Sequence, residues 1–239
     1  SDGLKKYISN HIKLAENLFK IIEKDQNFEI TCNQNINMIN FTKMHGLGND
    51  FAVINNIDGD ISLSVEEIRK LSDRHFGIGF DQLLMVESAS SKKADFRYVI
   101  FNADGTEVNQ CGNGARCFAL YVQKKNLSYK TNLTVETNDG LLILNINIDD
   151  SVTVDMGIPN FEPSKIPLNF DKVLSAVLIE GYEVGSLSVG NPHAILIQDQ
   201  IKNIEDIASK IQASDYFPDG VNVGFMEVLN RAEIKLRVV

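Results

Sequence analysis

The apolar segments of this chain constrain its fold most, because from Met38 onward they are strand-sized and end in turn residues. Residues 133–148 carry apolar side chains on two arms that meet at Asn138-Asp139-Gly140, a sequence typical of a β-hairpin turn. After Met38, helical spacing of apolar residues is confined to a few isolated stretches, over residues 64–75, 113–124 and 204–213. Strands interrupted by single helices favour an α+β fold over a doubly wound parallel sheet.

One of these helices has a clear start signal. Ser64 is a good N-cap residue, and Glu67 follows three positions later. This spacing is that of a capping box, in which the two side chains bond reciprocally to each other's backbone N–H groups. The helix is therefore predicted to begin just after Ser64.

The first 37 residues differ from the rest of the chain in their pattern of apolar and polar residues. Residues 3–24 repeat apolar side chains at helical spacing, which predicts an amphipathic helix. Phe28-Glu29-Ile30 indicates a short strand, and the polar, Asn-rich residues 31–37 indicate a linker. We therefore expect an extra N-terminal helix and linker over residues 1–37, a first lobe over residues 38–155 and a second lobe over residues 156–239.

Composition excludes several functional classes. The net charge of −9 argues against a nucleic-acid-binding surface. Apolar runs are too short to span a bilayer, and nothing resembles a secretory signal, so no membrane partner is expected. The three cysteines show no zinc-type spacing, and a reduced, cytoplasmic protein is the expectation.

The segment around Cys111 carries the clearest chemical signal. Cys111-Gly112-Asn113-Gly114 stands where a loop enters a helix, and free N–H groups at a helix start bind anions and lower a thiol's pKa. A carboxylate held there would bring its α-carbon next to the thiol. The alternative is an ordinary helix start with a buried free cysteine, which is common in proteins. Cys117, six residues further on, is predicted to lie in the core.

Several motifs, in one order and spacing, resemble those of diaminopimelate epimerases. They are His45-Gly-Leu-Gly-Asn-Asp-Phe51, Gly77-Ile-Gly-Phe-Asp-Gln82, Phe101-Asn-Ala-Asp-Gly105, Cys111-Gly-Asn-Gly-Ala-Arg-Cys117, Gly190-Asn-Pro-His193, and Asn222-Val-Gly-Phe-Met226 followed by Ile234-Lys-Leu-Arg-Val238. The resemblance implies an isomerase that inverts LL-diaminopimelate to the meso form for lysine and peptidoglycan precursor synthesis. It further implies two catalytic cysteines and neither metal nor pyridoxal phosphate, so no cofactor is expected.

The resemblance also implies roles for individual residues. Cys111 would be one acid/base group, and Gly112 and Asn113 would contact the substrate carboxylate at the helix start. His193 would help to poise a thiolate. The amides expected to bind the polar ends of the substrate are Asn49, Gln82, Asn102, Asn191 and Asn222. Without the resemblance, these amides would pass for turn or solvated side chains, and His193 for a structural histidine.

The fold implied by the resemblance has two pseudo-symmetric lobes, each a curved, mostly antiparallel sheet around a helix. The family pattern continues beyond Val239 with a second cysteine motif, so we expect an incomplete second lobe and impaired inversion. Residues 1–37 are extra, and part of them is similar to a helix-and-strand piece of pyridoxal-phosphate-dependent aromatic amino acid decarboxylases. A generic amphipathic helix explains that segment as well.

The sequence leaves two other functions open. The chain could be a non-catalytic relic or a split-enzyme fragment that binds a partner chain. It could also be a racemase of another amino acid on the same fold. The expected small-molecule partner is diaminopimelate, and a homodimer is compatible with the sequence.

Overall fold

The computed structural model describes residues 25–32, 35–166, 168–169, 176–218 and 220–239. The amphipathic helix predicted over residues 3–24 lies outside the described residues. The chain divides into two units, Ser1–Asp155 and Met156–Val239. Within the described ranges, no helix is both long enough and apolar enough to cross a membrane.

The first unit is built on a nine-stranded mixed sheet. Its strands are β1 (Asp25–Cys32), β2 (Asn35–Gly46), β3 (Asn49–Asn56), β4 (Gln82–Ser88), β5 (Phe96–Asn102), β6 (Glu107–Val108), β7 (Asn132–Thr137), β8 (Gly140–Ile146) and β9 (Val152–Asp155). Their order is β1-β2-β3-β4-β5-β7-β8-β9, with β6 paired to β5. The pairs β3–β4 and β5–β7 are parallel, and the other pairs are antiparallel.

Two helices cover opposite faces of this sheet. Helix α1 (Val65–Ser72) packs on one face and α2 (Gly112–Lys124) on the other. Alternate residues of β3 follow this division, since Phe51 belongs to the apolar cluster around α2 and Ile54 to the cluster around α1. The central strands β3, β4 and β5 are therefore buried on both faces, which gives the ends of these strands a rigid support.

The second unit contains a five-stranded sheet of order β10-β11-β12-β13-β14. The strands are β10 (Val177–Ile179), β11 (Tyr182–Ser188), β12 (Pro192–Ile197), β13 (Asn222–Asn230) and β14 (Glu233–Val238). Only β12–β13 is a parallel pair among these neighbours. Helix α3 (Ile204–Gln212) buries Ile207 and Ile211 against the sheet residues Leu196 and Phe225. A short 3-10 helix, Pro163–Lys165, precedes the sheet.

The two units repeat one order of elements. In the first unit the hairpin β2–β3 leads through α1 to the parallel strand β4 and then to antiparallel β5. In the second unit the hairpin β11–β12 leads through α3 to parallel β13 and then to antiparallel β14. The prediction of an α+β fold with two mostly antiparallel sheet lobes is confirmed.

Two local predictions need correction. Residues 31–37 were expected to form a linker, but β1 extends to Cys32, β2 begins at Asn35, and the two strands pair along their length. Polar Asn-rich composition therefore did not prevent strand pairing, because the backbone supplies the hydrogen bonds. Strand β12 was not predicted at all, since Asn191-Pro192 indicates a turn.

Candidate active site

Cys111 is the N-cap residue of α2. Its backbone is extended (φ −146°, ψ 118°), and its sulfur accepts a hydrogen bond from the Gly114 N–H at 3.5 Å. The buried Tyr98 hydroxyl donates to the Cys111 carbonyl at 3.2 Å. A Cβ at position 114 would lie 2.3 Å from that hydroxyl, so the glycine lets the helix start sit directly on Tyr98. One hydrogen bond thus fixes the sulfur of Cys111, and another fixes its backbone carbonyl.

Three neutral amides form a row that leads away from this thiol. Asn49 Nδ2 lies 3.8 Å from Cys111 Sγ and 3.5 Å from Gln82 Oε1. Gln82 Nε2 donates to Asn102 Oδ1 at 2.9 Å, and Asn102 Nδ2 donates to Thr106 Oγ1 at 3.3 Å. We call Asn49, Gln82 and Asn102 the amide row. All three are half-buried, which leaves part of each side chain open to a ligand.

The sheet explains why these residues meet. Asn49 begins β3, Gln82 begins β4 and Asn102 ends β5. Parallel β3 and β4 start at the same edge of the sheet, and antiparallel β5 ends there, with Gln82 directly opposite Asn102. Three sequence-distant amides therefore lie side by side at one edge, beside the start of α2.

The electrostatics of Cys111 differ from the prediction. Burial raises the pKa of the thiol above its ordinary value, and it outweighs the opposing effects of the Gly114 and Asn113 N–H groups and of the Arg116 charge. The expectation of a lowered pKa was wrong, because the helix start is real but the sulfur is also largely desolvated. In the free protein the group is therefore a thiol at neutral pH.

This electrostatic balance can be measured. We expect the rate of Cys111 alkylation by iodoacetamide to rise through a midpoint above that of an ordinary cysteine side chain, because only the thiolate reacts and burial disfavours its formation. Mass spectrometry of the peptide that contains Cys111, across a pH series, gives the midpoint. Cys117 is the internal control: it should react far more slowly, since burial raises its pKa to about 12. A Cys111 midpoint below about pH 8 would show that the helix start dominates.

The helix start itself is occupied by Gly112 and Asn113, both half-buried. Asn113 directs its backbone N–H at the Cys111 sulfur, while its side-chain oxygen accepts a hydrogen bond from Arg116. Gly46, at the end of β2, abuts this turn, since a Cβ there would lie 3.2 Å from the Asn113 carbonyl oxygen. The β2–β3 hairpin and the helix start thus pack against each other.

The predicted residues of the second unit also lie together. His193 Nε2 is 3.0 Å from Asn191 Oδ1, and Asn222 Nδ2 donates to the Pro192 carbonyl at 3.2 Å. His193 stands opposite Asn222 in the parallel β12–β13 pair, as Phe51 stands opposite Gln82 in β3–β4. Burial lowers the pKa of His193, so its ring is neutral at pH 7 and able to accept a proton.

The repeated order of elements thus gives the two units matching polar positions. Asn49 and Asn191 each stand two residues before the first register partner of a parallel pair. Gln82 and Asn222 each open the second strand of that pair. Each unit therefore presents an amide pair at the start of its parallel strands.

Other residues near the site were missed or placed elsewhere. Cys117 is buried in the core cluster around α2, which confirms that prediction. Thr106 and Tyr98 were not predicted as neighbours of the site. Thr106 follows Asn102 by four residues, a spacing that fits a turn, but Tyr98 has only the pattern of a core aromatic. Within the described residues, no group of three or more His, Cys, Asp or Glu could hold a metal ion.

Comparison with known proteins gives similarities in sequence and in fold. A family model described as diaminopimelate epimerase matches residues 41–162. The chain is 50% identical over 203 residues to the diaminopimelate epimerase of Vesicomyosocius okutanii subsp. Calyptogena okutanii (strain HA), a match that covers 84% of this chain and 75% of that protein.

Solved structures of lower identity are similar in fold. A hydroxyproline epimerase from Agrobacterium vitis has a TM-score of 0.54 at 14% identity, with 83% of this chain and 68% of that chain covered. A probable proline racemase from Agrobacterium radiobacter K84 has a TM-score of 0.56 at 15% identity, with 84% and 70% covered. At such identities the likeness shows the two-lobed architecture alone.

Proposed function

The chain belongs to the diaminopimelate epimerase family, and from this membership we propose that Cys111 acts as one acid–base group in cofactor-independent inversion at the α-carbon of diaminopimelate. The family is one of isomerases in amino-acid biosynthesis. The observation that carries the assignment is the position of the Cys111 sulfur. It caps α2 and contacts the amide row, so a helix-start anion site and an acid–base group share one place.

The proposed step is proton transfer at carbon. A substrate carboxylate at the start of α2 would receive the Gly112 N–H and share the Asn113 N–H with the Cys111 sulfur, which places the α-carbon beside Cys111. The Cys111 thiolate takes the α-proton and becomes a thiol, while the electron pair stays on the substrate as a carbanion conjugated with the carboxylate. The helix start stabilises the negative charge that develops there.

The raised pKa of Cys111 suits both directions of this step. In one direction the thiol, already protonated in the free protein, delivers its proton to the carbanion. In the other direction the thiol first releases its proton to solvent, and the higher pKa makes the resulting thiolate a stronger base toward a weakly acidic C–H bond. Burial thus lowers the fraction of Cys111 that is thiolate at neutral pH and also makes that thiolate a stronger base.

The amide row is proposed to bind a polar end of the substrate. Asn49, Gln82 and Asn102 offer both N–H donors and carbonyl acceptors, so they can orient ammonium and carboxylate groups alike. Being uncharged, they add no competing ion beside the thiol. Asn191 and Asn222 are proposed to serve in the same way in the second unit, with His193 as a neutral proton acceptor.

Inversion also needs a second acid on the opposite face of the planar carbanion. Of the two cysteines whose side chains the structure describes, Cys117 is buried within the same helix as Cys111 and cannot take that role. Proton exchange and inversion are therefore separable in experiment, and each should be measured.

The test is incubation of the purified chain with LL-diaminopimelate in deuterated water. Incorporation of α-deuterium, detected by mass spectrometry, is the expected result, and chromatographic separation of the meso product reports inversion. Absence of both deuterium and meso product would contradict the proposal. Inversion of proline in a parallel assay, without exchange of diaminopimelate, would instead favour a racemase of another amino acid.

We also propose a reducing, cytoplasmic setting, which the free thiols of Cys111 and Cys117 support. A small-molecule substrate agrees with the family. The absence of a nucleic-acid partner and the formation of a homodimer remain predictions from the sequence.

A further inference from the structure

Four charged side chains lie next to the amide row, and we call them the charge cluster: Lys43, Asp50, Arg74 and Asp81. Arg74 makes two hydrogen bonds to the Asp50 carboxylate, at 3.1 and 2.9 Å. The same Arg74 Nη2 atom contacts Asp81 Oδ1 at 2.7 Å, and Lys43 Nζ lies 2.7 Å from Asp50 Oδ2. One guanidinium thus joins two carboxylates.

The two carboxylates also exchange hydrogen bonds with each other's backbone. The Asp50 N–H donates to Asp81 Oδ2 at 3.0 Å, and the Asp81 N–H donates to Asp50 Oδ1 at 2.9 Å. The Asp81 carbonyl in turn accepts from the Ala103 N–H at 3.1 Å. These bonds connect the starts of β3 and β4 with the turn after β5.

Each connected residue is the chain neighbour of one member of the amide row. Asp50 follows Asn49, Asp81 precedes Gln82 and Ala103 follows Asn102. The three side chains of the amide row therefore extend from neighbouring backbone positions. The hydrogen bonds of the charge cluster connect these positions. The backbone joins the same positions, since the Asp81 N–H also donates to the Asp50 carbonyl at 3.0 Å and Gln82 pairs with Asn102 in the sheet, so the charge cluster adds side-chain contacts to an existing backbone connection.

From this arrangement we propose that Asp50, Arg74 and Asp81 are positioning residues that set the spacing of the amide row and thereby its fit to the substrate. The inference deepens the proposed function and rests on it. Arg74 is the member that contacts both carboxylates, and without its charge only Lys43, which contacts Asp50, would offset their mutual repulsion.

The protonation state of the cluster agrees with this role. Although burial opposes it, hydrogen bonds from Arg74 and Lys43 hold the pKa of Asp50 well below its ordinary value. Asp50 is therefore ionised across the physiological range, and its attraction to Arg74 persists there.

An exposed ion pair commonly contributes little to stability, and the Arg74 side chain is 56% exposed. If Arg74 formed only such a surface ion pair, Arg74→Met would leave the rate of α-proton exchange unchanged. The matched control is Arg97→Met, since Arg97 lies 4.0 Å from Glu87 near the other end of β4, with a side chain 41% exposed.

The kinetic test uses α-deuterium exchange from LL-diaminopimelate. We expect Arg74→Met to lower kcat/KM about tenfold, mainly through a higher KM, and Arg97→Met to leave it unchanged. Arg74→Lys should lose less, because it keeps the charge without the two-pronged contact to Asp50. In an Asn49→Ala/Gln82→Ala background, Arg74→Met should have no further effect. A full tenfold loss in that background would overturn the inference.

A second measurement needs neither substrate nor activity. The side-chain amide NMR signals of Asn49, Gln82 and Asn102 should shift in Arg74→Met and stay in place in Arg97→Met. Unchanged amide signals in Arg74→Met would overturn the positioning role even if exchange were lost. If the wild-type chain exchanges no α-proton, the proposed function fails, and shifted amide signals would still support the positioning role.

Discussion

Replacing Cys111 with serine is expected to abolish α-proton exchange from LL-diaminopimelate, lowering its rate by about a thousandfold or more. A hydroxyl is far less acidic than a thiol, so serine supplies no base at neutral pH. Serine is nevertheless a strong N-cap residue, and its oxygen can accept the Gly114 N–H that the sulfur accepts now. Loss of exchange could then not be attributed to unwinding of α2. Deuterium incorporation followed by mass spectrometry is the measurement.

The matched control is the other cysteine of the same helix. Cys117→Ser places a hydroxyl in a buried apolar cluster, so it should lower stability and retain exchange in the folded fraction. Circular dichroism establishes that both variants are folded before their rates are compared. Equal exchange by the wild-type chain and by Cys111→Ser would remove Cys111 from the mechanism.

The second large effect concerns the support beneath the site. Phe118→Ala is expected to lower the free energy of unfolding by about 3–5 kcal/mol, because it leaves a cavity in a close-packed core. Phe118 is fully buried, and its ring packs edge-on against Tyr98 at 5.1 Å and Phe96 at 6.4 Å between centroids. Equilibrium urea denaturation, read as a change in midpoint at constant slope, gives the loss.

A phenylalanine outside the core tests whether burial causes this loss. Phe76 is 91% exposed, so Phe76→Ala should change the free energy of unfolding by less than about 0.5 kcal/mol. Equal losses in the two variants would contradict the assignment of Phe118 to the core. Because Tyr98 also donates to the Cys111 carbonyl, Phe118→Ala should additionally reduce exchange in the fraction that remains folded.

Local signals in the sequence predicted much of the fold. Ser64 and Glu67 form the predicted capping box, with the Ser64 N–H donating to Glu67 Oε2 at 2.7 Å. The hairpin predicted around Asn138 pairs Thr137 with Gly140. Both features depend on residues close together in the chain, whose side-chain chemistry alone selects the backbone conformation.

The prediction that the residues of the amide row bind the same substrate came from the family resemblance. No local pattern in the sequence would have predicted it. Asn49, Gln82 and Asn102 are far apart in sequence, and only strand order brings them to one sheet edge. Arg74 was missed for the same reason, since its partners Asp50 and Asp81 stand 24 and 7 residues away. The predicted lowering of the Cys111 pKa was wrong, because the sequence indicates that Cys111 stands at a helix start but does not show that its sulfur is buried.

Cys111 caps its helix with the same sulfur that we propose as the base, so local order and reactivity are thermodynamically linked at one atom. The N–H groups of the first turn are what restrain the rise of the thiol's pKa. Any substitution that frays this turn would release that restraint and make the thiol harder to ionise. The pKa of Cys111 can therefore not be changed independently of the stability of the first turn of α2.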